Sequence, residues 1–205
     1  VGEELLPMSY DRLTEISKEH IEDYSAQTID SSNIEQLSTK AIEILRKLLK
    51  KSKRISFNID KLDDFELLKS LKLVKDKKLT IASIILLGTE DAIQKFLPYS
   101  EIRFGYRISM KYERNQEMAI FRKAYFEYYN DIWEKINLRN HFVKIPKGLR
   151  LKEEFAFNKD SIREAINNAI IHRDYSESGS IIIQQTEDLF EITNPGGLPK
   201  GITLE

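Results

Sequence analysis

The sequence predicts an α+β fold, and three stretches carry that prediction. Apolar residues recur at helical spacing through Leu37, Ala41, Ile44, Leu45 and Leu48. Apolar and charged residues alternate from Glu101 to Met110, as they do in a half-buried strand. Residues 158–201 read as a helix, a hairpin of two strands and a glycine turn. The expected architecture is a helical, small α/β N-terminal part followed by an α/β layer.

Composition sets the outer limits. The 205 residues can hold one large domain or two small ones, and 41% hydrophobic content suffices for real cores. Lys+Arg 32 against Asp+Glu 33 leaves a net charge of −1, so global charge gives no argument for nucleic-acid binding. The lack of cysteine excludes a disulfide framework and a thiolate metal site. No apolar run approaches the roughly 18–20 residues of a membrane span, and no secretory signal is visible. The expectation is a cytoplasmic protein with no membrane role. Val1 is not an initiator methionine, and Val1 to Met8 reads like the exit from a domain, so the chain is expected to be an internal fragment.

In chain order, Pro7 marks a turn and Ser9 a helix cap. A helix is predicted over 32–51, with Ser31 and Ser32 as candidate caps. It ends in a basic run of Arg46, Lys47, Lys50, Lys51, Lys53 and Arg54. That run reads either as cations complementing the helix dipole or as a phosphate-backbone contact. Asp63 to Leu71 reads as a short helix. Two short strands follow around a Lys-Asp-Lys-Lys turn, then the apolar run Ala82 to Leu87. This set is either winged-helix-like or a small α/β connector. Pro98 ends the next short helix, and 101–110 is a strand. Asn115 to Asn137 is predicted as one long, ring-rich helix whose aromatics serve core or interface. Arg139 to Ile145 reads as a strand, with Pro146-Lys147-Gly148 as a turn and a domain boundary near 146–150.

The helix from Asn158 carries the chemistry. Glu164, Asn168 and His172 recur every fourth residue and stack along one face. Ile162, Ala165, Ile166, Ala169 and Ile170 form the opposite, packing face. Ser161 to Glu164 also reads as a capping box, which would occupy Glu164 at the helix start. If Asn158 or Asp160 caps instead, Glu164 is free. Asn167-Asn168 is a mid-helix pair that propensity disfavours. His172 and Arg173 close the helix, as a dipole cap and as a loop- or phosphate-orienting group. Asn194-Pro195-Gly196-Gly197 has the Pro-Gly centre of a type II turn.

The motif Glu164-x-x-x-Asn168-Ala169, followed by Asn194-Pro195-Gly196-Gly197, resembles the first two nucleotide-binding boxes of the GHKL ATPases, such as gyrase B, histidine kinases and MutL. REAINNAIIHRDY with EITNPGGLPKGI is similar to a divergent GHKL branch. That branch is found in prokaryotic transcriptional regulators loosely described as RecG helicase relatives. LTIASIILLG and the opening VGEELLPMS resemble further segments of that family. The resemblance implies residues 1–30 as the tail of a Schlafen/AlbA-like domain, 31–148 as a connecting α/β domain, and 149–205 as the first half of a GHKL sandwich. It implies ATP and Mg²⁺ as cofactors, with DNA and a second copy as partners of the full-length protein. By the same resemblance, Glu164 is the general base and Asn168 a magnesium ligand. His172, Arg173, Asn194, Gly196 and Gly197 belong to the nucleotide site. The sequence departs at Asn194, where the family has an aspartate, and at Leu198, where a glycine is expected. The later glycine box and lid lie past residue 205, so this stretch alone is expected to bind ATP weakly or not at all. A catalytically inactive ligand-sensing or dimerisation module is the alternative.

Overall fold

The computed structural model describes residues 24–52, 58–111, 114–148 and 150–196. The expected elements over 1–23, the cations Lys53 and Arg54, and Gly197 lie outside them. The protein is α+β, and among the described residues no helix is long and apolar enough to cross a membrane.

The first half is helical. Helix α1, Thr39–Lys51, is capped by Ser38, whose hydroxyl accepts from the Ala41 N–H at 3.2 Å. The predicted caps Ser31 and Ser32 are too early. Leu37 bridges Gly88, and the Ser38 N–H bonds the Leu87 carbonyl at 2.7 Å, which holds both residues extended. Helix α2, Asp64–Ser70, starts at a capping box formed by Asp63 and Glu66. The ribbon of β1, Val74–Lys75, and β2, Lys78–Leu79, turns through Asp76 and Lys77 at positive φ. Helices α3, Ile81–Leu87, and α4, Glu90–Phe96, follow on caps from Thr80 and Thr89. Two cations of the basic run are internally engaged. Arg46 bonds Asp64 and the carbonyls of Ile59 and Leu62, while Lys50 pairs with Asp60. Those two cations favour the helix-end reading over a phosphate contact.

A four-stranded sheet, in the order Glu117–Phe121, Ile102–Tyr106, Ile181–Gln185, Phe190–Thr193, organises the rest. Strand β3, Ile102–Tyr106, pairs antiparallel with β4, Glu117–Phe121, and parallel with β7, Ile181–Gln185. Strand β8, Phe190–Thr193, closes the other edge. Ile102, Phe104, Phe121, Ile181 and Ile183 point into the core; Met118, Ile120 and Ile182 are exposed on the opposite face. The packed face is covered by helices α5, Tyr125–Asn137, and α6, Lys159–His172. The Phe121 and Tyr128 rings meet at 5.6 Å, and Gln185 donates to the Ile136 carbonyl at 3.0 Å.

Two expectations are corrected. The single helix over 115–137 is a strand, a break and then α5. Residues 116–119 are helix formers, but five ladder pairs to β3 and the burial of Phe121 outweigh local propensity. The boundary near 146–150 falls instead at the tip of a hairpin, β5 Phe142–Lys147 and β6 Arg150–Phe155. The sheet takes strands from both sides of that point, and one core runs from Leu37 to Ile183. A division between 148 and 149 therefore does not separate two cores.

A buried carboxylate pins the start of the parallel pair. Glu101, 2% exposed in its side chain, accepts from Arg103 at 2.6 Å, from Arg122 at 2.7 Å and from the Ser180 hydroxyl at 2.8 Å. Burial alone would raise its pKa, but the hydrogen bonds from Arg103, Ser180 and Arg122 outweigh this and hold it below the ordinary value. A depressed carboxyl stabilises the fold above its unfolded pKa, about 4.3, and loses that contribution as pH falls through the folded value. Glu101→Ala should therefore destabilise by about 3 kcal/mol at pH 7. The gap to wild type should narrow in acid when urea unfolding is repeated near pH 3; a gap independent of pH would contradict the assignment.

Candidate functional site

Helix α6 begins at Asn158, whose side-chain oxygen accepts from the N–H groups of Asp160 and Ser161 at 2.9 and 3.1 Å. That decides between the two readings of Glu164. The capping box is not used, so Glu164 lies within the helix, exposed, with its carboxylate 3.4 Å from the Asn168 amide nitrogen. The adjacent amides part company. Asn167 accepts from the Tyr125 hydroxyl and faces α5, whereas Asn168 faces outward on the Glu164 stripe.

An open hollow of about 380 Å³ lies between α6 and β8, lined by Ala165, Asn168, Ala169, Phe190, Ile192 and Asn194. This falls in the range of small-molecule sites, roughly 300–1,000 Å³. Asn168 and Asn194, far apart along the chain, thus share one wall system. Phe190, Ile192 and Asn194 do so because alternate residues of a strand face one side.

Asn194 is held at one end only. Its side-chain NH₂ donates to the Ala169 carbonyl at 2.9 Å, while its Oδ1 is enclosed and without a partner among the described residues. Ala169 and Ile170 are among the last four residues of α6, whose carbonyls lack intrahelical donors. The Tyr175 hydroxyl caps the second of them, donating to Ile170 at 2.9 Å, and burial raises the Tyr175 pKa well above its ordinary value. Gly196 has φ +99°, the left-handed value a type II turn requires. Gly179, at φ +114°, lies so near this turn that an added Cβ would stand 3.2 Å from Pro195. The 173–180 loop and the Asn194 turn are therefore in contact.

Of the remaining predicted site residues, His172 is exposed on the last turn and does not line the hollow. Arg173 is directed elsewhere: it is 5% exposed and donates to the carbonyls of Tyr99 at 3.1 Å, Glu177 at 3.4 Å and Gly179 at 2.6 Å. Its guanidinium also lies 4.6 Å from the centre of the Tyr175 ring. It holds the loop, and the phosphate-orienting role is not supported by this geometry. Among the described residues no three His, Asp or Glu side chains form a metal cluster. A cation here would rest on Asn168 and the ligand itself. The apolar walls escaped sequence reasoning, although the period-two run Phe190, Ile192, Asn194 contained the signal.

The fold has a solved counterpart. The DIP2311 protein from Corynebacterium diphtheriae, known from a crystal structure, superposes on 88% of this chain with a TM-score of 0.69 and 22% sequence identity. The match takes in 35% of that protein, so this chain spans about a third of its length. The likeness is one of fold. A family model described as a domain of unknown function, DUF8451, matches residues 12–103. It ends inside β3, so the hollow lies outside the matched segment. No curated protein matches the chain.

Arg173→Lys keeps a charge but cannot reach three carbonyls and the Tyr175 face together. It should cost about 1.5–3 kcal/mol in denaturant unfolding and expose the 175–180 amides to faster hydrogen exchange. Unchanged exchange in that loop would show that Arg173 does not hold it.

Proposed function

We propose that α6, β7, β8 and the Asn194 turn form part of a divergent GHKL-type nucleotide site, in a DNA-associated prokaryotic transcriptional regulator, and that the hollow receives Mg·ATP. One observation carries this reading: Asn168 and Asn194 line a single ligand-sized hollow, with the Asn194 acceptor left unsatisfied. An enclosed acceptor without a donor costs about 1–3 kcal/mol, a cost that an amino hydrogen of a bound base would offset on reaching it. Phe190, Ile192, Ala165 and Ala169 give apolar walls to a flat heteroaromatic ring.

The exposed stripe of α6 supplies the polar end. The Asn168 side-chain oxygen is a hard donor that suits Mg²⁺, which keeps several waters and takes few protein ligands. When bound, the ion neutralises phosphate charge. Glu164, one turn before Asn168, would orient a water and accept its proton as the water oxygen bonds to the terminal phosphorus and the bond from that phosphorus to the bridging oxygen breaks, releasing the nucleoside diphosphate. Gly196 allows the turn its left-handed backbone beside the base.

Titration of the full-length protein with Mg·ATP, with phosphate release measured alongside, tests the reading. Asn168→Ala should weaken binding at least about tenfold, as loss of a metal-site group does. Glu164→Ala should leave binding nearly intact and lower turnover by about 10²-fold or more. Nucleotide binding by wild type without turnover favours a ligand-sensing module. Unchanged binding and hydrolysis in both variants would sink the proposal.

A further inference from the structure

We infer that Asn194 is a positioning residue whose amide cannot be exchanged for a carboxylate, because its NH₂ group closes the C-terminal end of α6 and so fixes the turn that walls the hollow. The part of this inference that concerns ligand binding rests on the nucleotide reading above; the part that concerns the helix end does not.

The argument starts from the Ala169 carbonyl. It lies in the final turn of α6, where the chain leaves helical geometry at Arg173, ψ 132°. Such a carbonyl needs a donor from outside the helix. The Asn194 amide supplies one at 2.9 Å, and this contact also fixes which end of the amide is nitrogen, since two carbonyl-type oxygens at that distance would repel. The neighbouring carbonyl of Ile170 is closed by Tyr175, which stacks on Arg173. One helix end is thus tied to the Asn194 turn by one side chain and to the 173–180 loop by another. Asparagine can donate with one end of its amide and accept with the other; ionised aspartate only accepts. A carboxylate at 194 would set negative charge against the Ala169 carbonyl, at the negative end of the helix dipole. Both effects push the turn away from α6 and open the hollow.

The same chemistry gives a test that a merely space-filling role would not pass. In Asn194→Asp the carboxyl can donate to Ala169 only when protonated. Burial and the facing carbonyl raise its folded pKa above the unfolded value of about 3.9. A raised folded pKa means that the stabilisation is present at low pH and lost as pH rises through that value. Thermal unfolding of wild type, Asn194→Asp and Asn194→Ala is to be compared at pH 8 and pH 5. The expected result is that Asn194→Asp melts below Asn194→Ala at pH 8, and that its deficit relative to wild type shrinks at pH 5. In parallel, Mg·ATP binding by the full-length Asn194→Asp protein should be at least tenfold weaker than wild type at pH 8 and partly regained at pH 5. Equal melting of Asn194→Asp and wild type at pH 8, or a deficit that does not change with pH, would overturn the inference. If wild type binds no nucleotide, the functional reading fails, and the melting comparison still decides the role of the amide. Should Asn194→Asp fail to fold at either pH, hydrogen exchange of Asn194→Ala decides. Faster exchange over residues 170–176 supports the capping role, and exchange equal to wild type refutes it.

Discussion

The structure depends on closing a parallel strand pair across a long connection. Ile102 lies beside Ile181, and everything from β4 to α6 intervenes. Bringing such distant segments together carries a loop-closure cost that local structure does not repay. Two buried charged groups hold the start of that pair. Glu101 gathers Arg103, Arg122 and the Ser180 hydroxyl, while Arg173 ties Tyr99 to Glu177 and Gly179. Both link the chain entering β3 to the chain entering β7. Their charges are nearly removed from water, yet each is matched by several partners, which is the condition under which buried ions are tolerated. The sheet that results fixes β8 against α6, and the hollow exists only because those two elements meet.

The hollow combines two kinds of control. Its position comes from packing, since Ala169 and Ile170 of α6 are buried in the core while Phe190 and Ile192 of β8 pack beside it. Its polar chemistry comes from residues left over by that packing. Asn168 and Glu164 lie on the outward stripe of a helix whose other face is committed to the core. Asn194 stands where strand gives way to turn, with one end of its amide engaged and the other enclosed without a partner among the described residues. This division explains why neighbouring residues of one motif have different tasks. Asn167 joins two helices, Asn168 faces the hollow, and Arg173 secures a loop.

Much of this was legible in the sequence, and the failures have physical causes. The helix from Asn158, the hairpin after it and the glycine turn were readable because cap, periodicity and turn chemistry agree. The short helix α2 and the β1–β2 ribbon were readable for the same reason. Strand β4 was not, because Gln116-Glu117-Met118-Ala119 favours helix and only the distant partner β3 makes it a strand. Ser38 replaced Ser31 and Ser32 as a cap because contacts with Leu87 and Gly88 keep Leu37 and Ser38 extended. At the site, the i, i+4 spacing placed Glu164 and Asn168 on one stripe, but nothing local told Arg173 apart from a ligand-facing cation. Two of its carbonyl partners lie in its own loop, but the third, Tyr99, comes from a segment that only the folded sheet brings beside it.

The most direct test of one shared hollow is a nuclear magnetic resonance titration of the full-length protein with Mg·ATP, following the side-chain amide resonances of Asn168 and Asn194. The account predicts that both shift together along one saturation curve. Resonances that stay fixed at saturating nucleotide, or that titrate with different affinities, would contradict it.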